Sequence, residues 1–157
     1  MSTIEKSVQV AVPVSTAYDQ WTQFESFPQF MEGVESVKQL DDKHLHWKAE
    51  IGGVTREWDA EIVDQVPDER ITWRAVEGAQ NKGTVSFTQD PMGNATQVTL
   101  HLEYEPEGAV EKTGDVLKIV DMRAKGDLER FKDFIENRGT ETGAWRGEVK
   151  PTGEVNR

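Results

Sequence analysis

The sequence predicts an α+β fold: a curved, seven-stranded antiparallel sheet wrapped around one long C-terminal helix, with two short helices after the first strand. Three observations carry this. Between residues 8 and 104, six of seven strand-like runs place apolar side chains at every second position. The connections after residue 32 are short and rich in turn residues, so successive strands pair as an antiparallel meander. After Gly108 the period changes: Leu117, Val120, Ala124, Leu128, Phe131 and Ile135 recur at spacings of three and four.

The elements follow in order. Val8, Val10 and Val12 alternate with polar Gln9 to make a half-buried strand, which Pro13 ends. Ser15 reads as an N-cap, and Ala17, Tyr18, Trp21 and Phe24 give the following short helix an apolar face. Phe27-Pro28-Gln29-Phe30-Met31 reads as a second helical turn or a tight apolar corner. Strands are expected over 34–40 and 44–51, the second carrying Leu45, Trp47, Ala49 and Ile51 on one face. Gly52-Gly53 is a two-residue hairpin signal. On 54–66, Trp58, Ala60 and Ile62 share a face, and Glu57, Asp59 and Glu61 take the other. Pro67-Asp68 makes the next turn. Ile71, Trp73 and Ala75 mark the fifth strand, and 78–83 reads as a loop. Val85 and Phe87 mark the sixth strand, and Val98, Leu100, Leu102 and Tyr104 the seventh. The helix that follows has about 25 residues and a length near 37 Å. Arg138-Gly139 is a helix stop, and Gly126 inside the helix costs up to about 1 kcal/mol relative to alanine.

The chain has 157 residues, enough for one sizeable core. Residues 1–138 are expected to form one domain. The glycines, Pro151 and charges of 139–157, with Trp145 the one large apolar residue, predict a flexible, irregular tail. The formal net charge of -11 argues against nucleic acid, whose binding normally shows a basic stripe, and against anionic membrane surfaces. There are no cysteines, so disulfides, thiolate catalysis and cysteine-based metal sites are excluded. No apolar run approaches the roughly 18 residues of a bilayer span, and the first residues lack the pattern of a signal peptide. A cytoplasmic monomer is the expectation.

His44 and His46 share a strand face, a spacing that can ligate a metal, but that face is opposite Leu45 and Trp47 and is expected to be solvated, so no metal site is assigned. His101 is out of phase with Leu100 and Leu102, and there is no Gly-x-Ser-x-Gly, hence no nucleophilic triad. No glycine loop has phosphate- or dinucleotide-binding spacing, and no cofactor is implied.

One helix cannot fill a strongly curved sheet, so the shape itself predicts a cavity between them. The layout resembles the helix-grip (START-like, SRPBCC) superfamily, which includes START lipid-transfer domains, plant pollen-allergen-like proteins and bacterial polyketide cyclases/dehydrases. Val10-Ala11-Val12-Pro13-Val14-Ser15-Thr16-Ala17-Tyr18 resembles the family's first strand, proline and helix start. Phe27-Pro28-Gln29-Phe30-Met31-Glu32-Gly33-Val34 resembles the lead into its second strand, and residues 127–136 its final helix. The resemblance covers about residues 3–138. It implies binding of a small hydrophobic or aromatic ligand, such as a lipid or polyketide-like metabolite. The alternatives it leaves open are a cyclase/dehydrase-type enzyme, in which Arg or Tyr polarises a carbonyl, and a protein-partner docking module using the pocket mouth or the Trp145 segment.

The alternating faces nominate the pocket walls: Leu45, Trp47, Trp58, Trp73, Phe87 and Leu100 from the strands, and Val120, Arg123 or Ala124, and Phe131 from the helix. Broad indole faces suit flat apolar ligands. Arg56 is in phase with Trp58 and points a guanidinium toward the apolar side, where it needs an anionic or carbonyl partner or an escape to water. Arg123 and Asp127 are one helical turn apart and can pair. The aromatase/cyclase branch of the superfamily carries Trp-x-Trp-x-Ser-x-Arg on the strand after the hairpin. The matching stretch here begins at Arg56 and shares only Trp58, with Ala60 and Ile62 at the polar positions, which argues against aromatic cyclisation.

Overall fold

The computed structural model describes residues 2–51, 53–77, 80–105 and 113–157. Gly52 of the expected hairpin, positions 78–79, the period break at Gly108 and the side chains of Tyr104 and Leu117 lie outside the described residues. Antiparallel strands β1 (Ser2–Val10), β2 (Val34–Gln39), β3 (His44–Ile51), β4 (Val54–Val66), β5 (Arg70–Glu77), β6 (Gln80–Gln89) and β7 (Thr96–Glu105) form one sheet in the order β1-β7-β6-β5-β4-β3-β2. The meander holds from β2 to β7, and β1 closes onto β7 with Val8 opposite Val98. Register shifts at Val34/Ser36, Asp59/Ala60 and Ile62/Asp64 mark bulges, which increase local twist and bend the sheet.

Helix α1 (Val14–Trp21), a 3₁₀ turn (Phe24–Gln29) and the long helix α2 (Thr113–Arg138) lie with the concave apolar face. Helix α1 begins one residue before the expected cap. Pro13 is the N-cap, in extended conformation, and its carbonyl accepts the Ala17 N–H at 3.2 Å, so Ser15 is already helical. Helix α2 ends at Arg138, where Gly139 adopts φ +72° and donates its N–H to the Ile135 carbonyl.

Three expectations are corrected. Among the described residues the sheet has nine strands, not seven, because the segment after α2 adds β8 (Glu148–Val149), paired with β4 at Gln65, and β9 (Val155–Asn156), paired with β8. This segment is therefore not the irregular tail its composition suggested: Val149 is fully buried, and Trp145 packs against the core. The loop expected over 78–83 shrinks, because β6 already begins at Gln80. Gly83 lies inside that strand because the Trp73 indole rests on it: a Cβ there would come within 2.6 Å of Trp73 Cε2.

The core is continuous from sheet to helix. Leu45, Ile62, Ile71, Val85 and Val98 on the strands meet Leu128, Phe131 and Ile135 of α2 and an aromatic group from α1 and the 3₁₀ turn. Trp21 is central to that group, with its ring 5.1 Å from Phe27, 6.2 Å from Phe30 and 5.4 Å from Phe131. Such tilted and edge-on contacts add to the area they bury.

Candidate functional site

A cavity of about 180 Å³ lies between the sheet and the N-terminal half of α2. The strand side of its wall is built by period-two alternation. Trp47 on β3 is directly opposite Trp58 on β4, and their rings stack 5.8 Å apart and nearly parallel, at 4°. Trp73, Leu100 and Leu102 extend the same face across β5 and β7, and Val120, Ala124 and Leu128 face them from α2. Trp21, Phe24 and Phe27 also line it. Trp47 is almost wholly buried, whereas Trp58 and Trp73 are half-buried. The indole N–H groups of Trp21 and Trp47 are buried and meet no hydrogen-bond acceptor among the described residues, a local cost in a predominantly apolar wall.

Several polar residues of the wall, Glu32, Arg123 and Asp127 among them, lie where α2 meets the start of β2 and the end of β3. Arg123 reaches from α2 to donate to the Glu50 backbone carbonyl, and its second amino group lies 3.7 Å from the Glu50 carboxylate. The contact needs Gly33. That residue has φ +86°, and a Cβ on it would collide with the Arg123 guanidinium and come within 2.8 Å of the Glu50 carbonyl oxygen. The Arg123–Asp127 pair is corrected accordingly. Asp127 instead accepts from Arg130 at 2.5 Å and from the Glu32 backbone N–H at 3.0 Å, while Arg130 also donates to the Phe30 carbonyl. Burial raises the Asp127 pKa, opposed by these bonds. A Cβ on Gly126 would come 3.0 Å from the Arg130 guanidinium, a tight approach to the end of a long side chain.

Of the residues nominated from sequence, Trp47, Arg56, Trp58, Trp73, Leu100, Val120 and Arg123 line this one cavity. Phe87 and Phe131 do not, and their placement on the wall is corrected. Phe87 is turned edge-on to Tyr18 at 5.5 Å, and Phe131 is wedged between Trp21 and Phe30. Leu45 is likewise core. Sequence reasoning missed Trp21, Phe24, Phe27, Gly33 and Leu128. The aromatic run 21–30 was the available signal.

The outer face holds the histidines. His46 Nδ1 is 2.6 Å from Asp59 and its Nε2 is 3.1 Å from Glu57, and these hydrogen bonds raise its pKa. His44 lies 2.9 Å from Asp41 and 3.4 Å from Glu61. Among the described residues no group of three or more His, Asp or Glu is arranged to hold a metal ion. No helix among them is long and apolar enough to cross a membrane.

The comparisons agree with this architecture. The chain is 52 % identical over 150 residues to an uncharacterized 17.2 kDa protein in the melC2-rnhH intergenic region of Streptomyces lincolnensis, covering 95 % of this chain and 99 % of that one. Its fold is similar to that of the Zhui aromatase/cyclase from a Streptomyces species, with a TM-score of 0.75 at 17 % identity, covering 92 % of this chain and 99 % of that one. A START superfamily protein of Mycobacterium smegmatis gives a TM-score of 0.69 at 19 % identity, covering 87 % and 95 %. At these identities the two structures speak for the fold alone. The family model for polyketide cyclase/dehydrase and lipid transport matches residues 10–133, most of the length, and the chain belongs to that family.

Proposed function

We propose that the chain binds a small apolar or aromatic molecule, a lipid or polyketide-like metabolite, in the cavity between the sheet and α2. One observation carries this reading: a predominantly apolar cavity whose sheet wall presents three indoles, two of them stacked flat. A cavity of this volume holds more than a single water, and an apolar lining offers water few partners, so its filling by an apolar molecule is favourable. Arg56 and Arg123, on the same wall, give a polar group of the ligand a place near charge. The family relation and the fold shared with an aromatase/cyclase and a START superfamily protein support a role of this kind.

A cyclase/dehydrase-type activity is the second reading. It is favoured by the Asp127 carboxyl, which lines the cavity and retains its proton to higher pH than a free carboxyl. Chemical turnover of a bound molecule separates it from simple binding.

The test is the Trp58→Ala variant titrated calorimetrically with a flavonoid. Removing one stacked face takes away aromatic contact and buried area together, so affinity falls about tenfold, which corresponds to roughly 1.4 kcal/mol. Unchanged affinity in a folded variant contradicts the placement of the ligand.

A further inference from the structure

Helix α1 is short and has no side-chain N-cap, and a helix of eight residues is not stable by itself. It nevertheless buries three polar side chains at its end, Asp19, Gln20 and Thr22. Buried polar groups need partners, and the segment after α2 supplies them. Gln20 Oε1 accepts the Thr142 backbone N–H at 2.9 Å, and Gln20 Nε2 donates to the Thr142 hydroxyl at 3.0 Å. The Trp145 backbone N–H donates to the Thr22 hydroxyl at 3.0 Å. Arg146 donates to the Asp19 carboxylate at 2.5 Å, reaches Asp68 at 2.8 Å and lies over the Tyr18 ring.

The backbone of the segment is shaped for this approach. A Cβ on Gly143 would come 2.6 Å from the Gln23 side-chain oxygen, and one on Gly147 2.5 Å from the Trp145 ring. Beyond Arg146 the segment is anchored by β8 pairing with β4. The contacts to Tyr18, Asp19, Gln20 and Thr22 converge on residues flanking Trp21, which lines the cavity.

We propose that residues 140–149 are a positioning strap: they hold α1 so that Trp21 keeps its place in the cavity wall, and they thereby set the space available to a ligand. The strap lies beyond residue 133, where the family match ends. Its effect on affinity rests on the binding reading above, whereas its effect on α1 does not.

The experiment uses the whole chain with Arg146→Met, which keeps an apolar stem and removes the cation between Asp19 and Asp68. Three readouts are taken: amide hydrogen exchange, the Trp21 Nε1–H resonance and calorimetric affinity for a flavonoid. The expected result is at least tenfold faster exchange at α1 amides 17–21, a displaced Trp21 resonance and about fivefold weaker binding, with β5–β7 amides unchanged. Uniform acceleration across sheet and helix would make the segment a general stabiliser and overturn the proposal. So would an unmoved Trp21 resonance, or a moved one with undiminished affinity in a protein whose wild type binds. Where the wild type binds no probe, the binding reading fails by itself, and exchange and Trp21 still decide the strap. Should Arg146→Met not fold, Thr142→Val, on an exposed residue, supplies the same three readouts.

Discussion

Phe131→Ala is expected to destabilise the protein by about 3 to 5 kcal/mol, the range for truncating a fully buried aromatic. The ring has no exposed surface and contacts Trp21 at 5.4 Å and Phe30 at 5.3 Å, so three elements meet on it. Its neighbours are themselves held: Trp21 by Phe27 and the end of α1, and Phe30 by Phe134. The site therefore has little freedom to collapse around the missing ring, which puts the cost toward the upper part of that range. Urea unfolding followed by far-ultraviolet circular dichroism measures it. A loss below about 1 kcal/mol would mean that α2 does not pack on the aromatic group as described.

Gly33→Ala is the second large effect, of order 3 kcal/mol. A side chain at φ +86° costs roughly 1–3 kcal/mol of backbone strain. The new Cβ also drives the Arg123 guanidinium off the Glu50 carbonyl, a charge-assisted bond whose loss costs about 1.5–3 kcal/mol. The two parts can be separated. In an Arg123→Met background the bond is already gone, so Gly33→Ala should cost less there than in the wild type. Full additivity of the two substitutions, read from thermal unfolding as a double-mutant cycle, would show that Gly33 and Arg123 do not touch.

The inward faces were legible because a strand has a period of two. Trp47, Trp58, Trp73 and Leu100 were nominated by phase alone, and the registers Trp47 to Trp58 and Ile62 to Trp73 put them on one surface. Phase gives the face but not the position along the strand or helix. Phe87 and Phe131 point inward as expected, yet they meet α1 and its neighbours rather than the cavity. Arg123 was seen as one of a helical pair with Asp127. Its true partner is a backbone carbonyl 73 residues away, which no local spacing encodes. The segment 139–157 escaped because its two strands are two residues each, too short for any periodicity, and its glycines read as loop. Part of its anchoring, over 142–146, is to polar side chains at the end of α1 whose need for partners appears only when they are seen to be buried. Gly83 carried a signal that was misread: a glycine within a strand marks the close approach of a ring as well as a turn.

The central claim is that the cavity between sheet and α2 receives a small apolar molecule. A two-dimensional amide NMR titration of the labelled protein with a fatty acid, a quinone, a flavonoid and an aromatic polyketide tests it most directly. The expected result is saturable shifts with at least one compound, confined to Trp47, Trp58, Trp73, Leu100 and residues 120–128 of α2. Absence of shifts with all four, or shifts clustered on the outer face around His46 and Arg74, would contradict it.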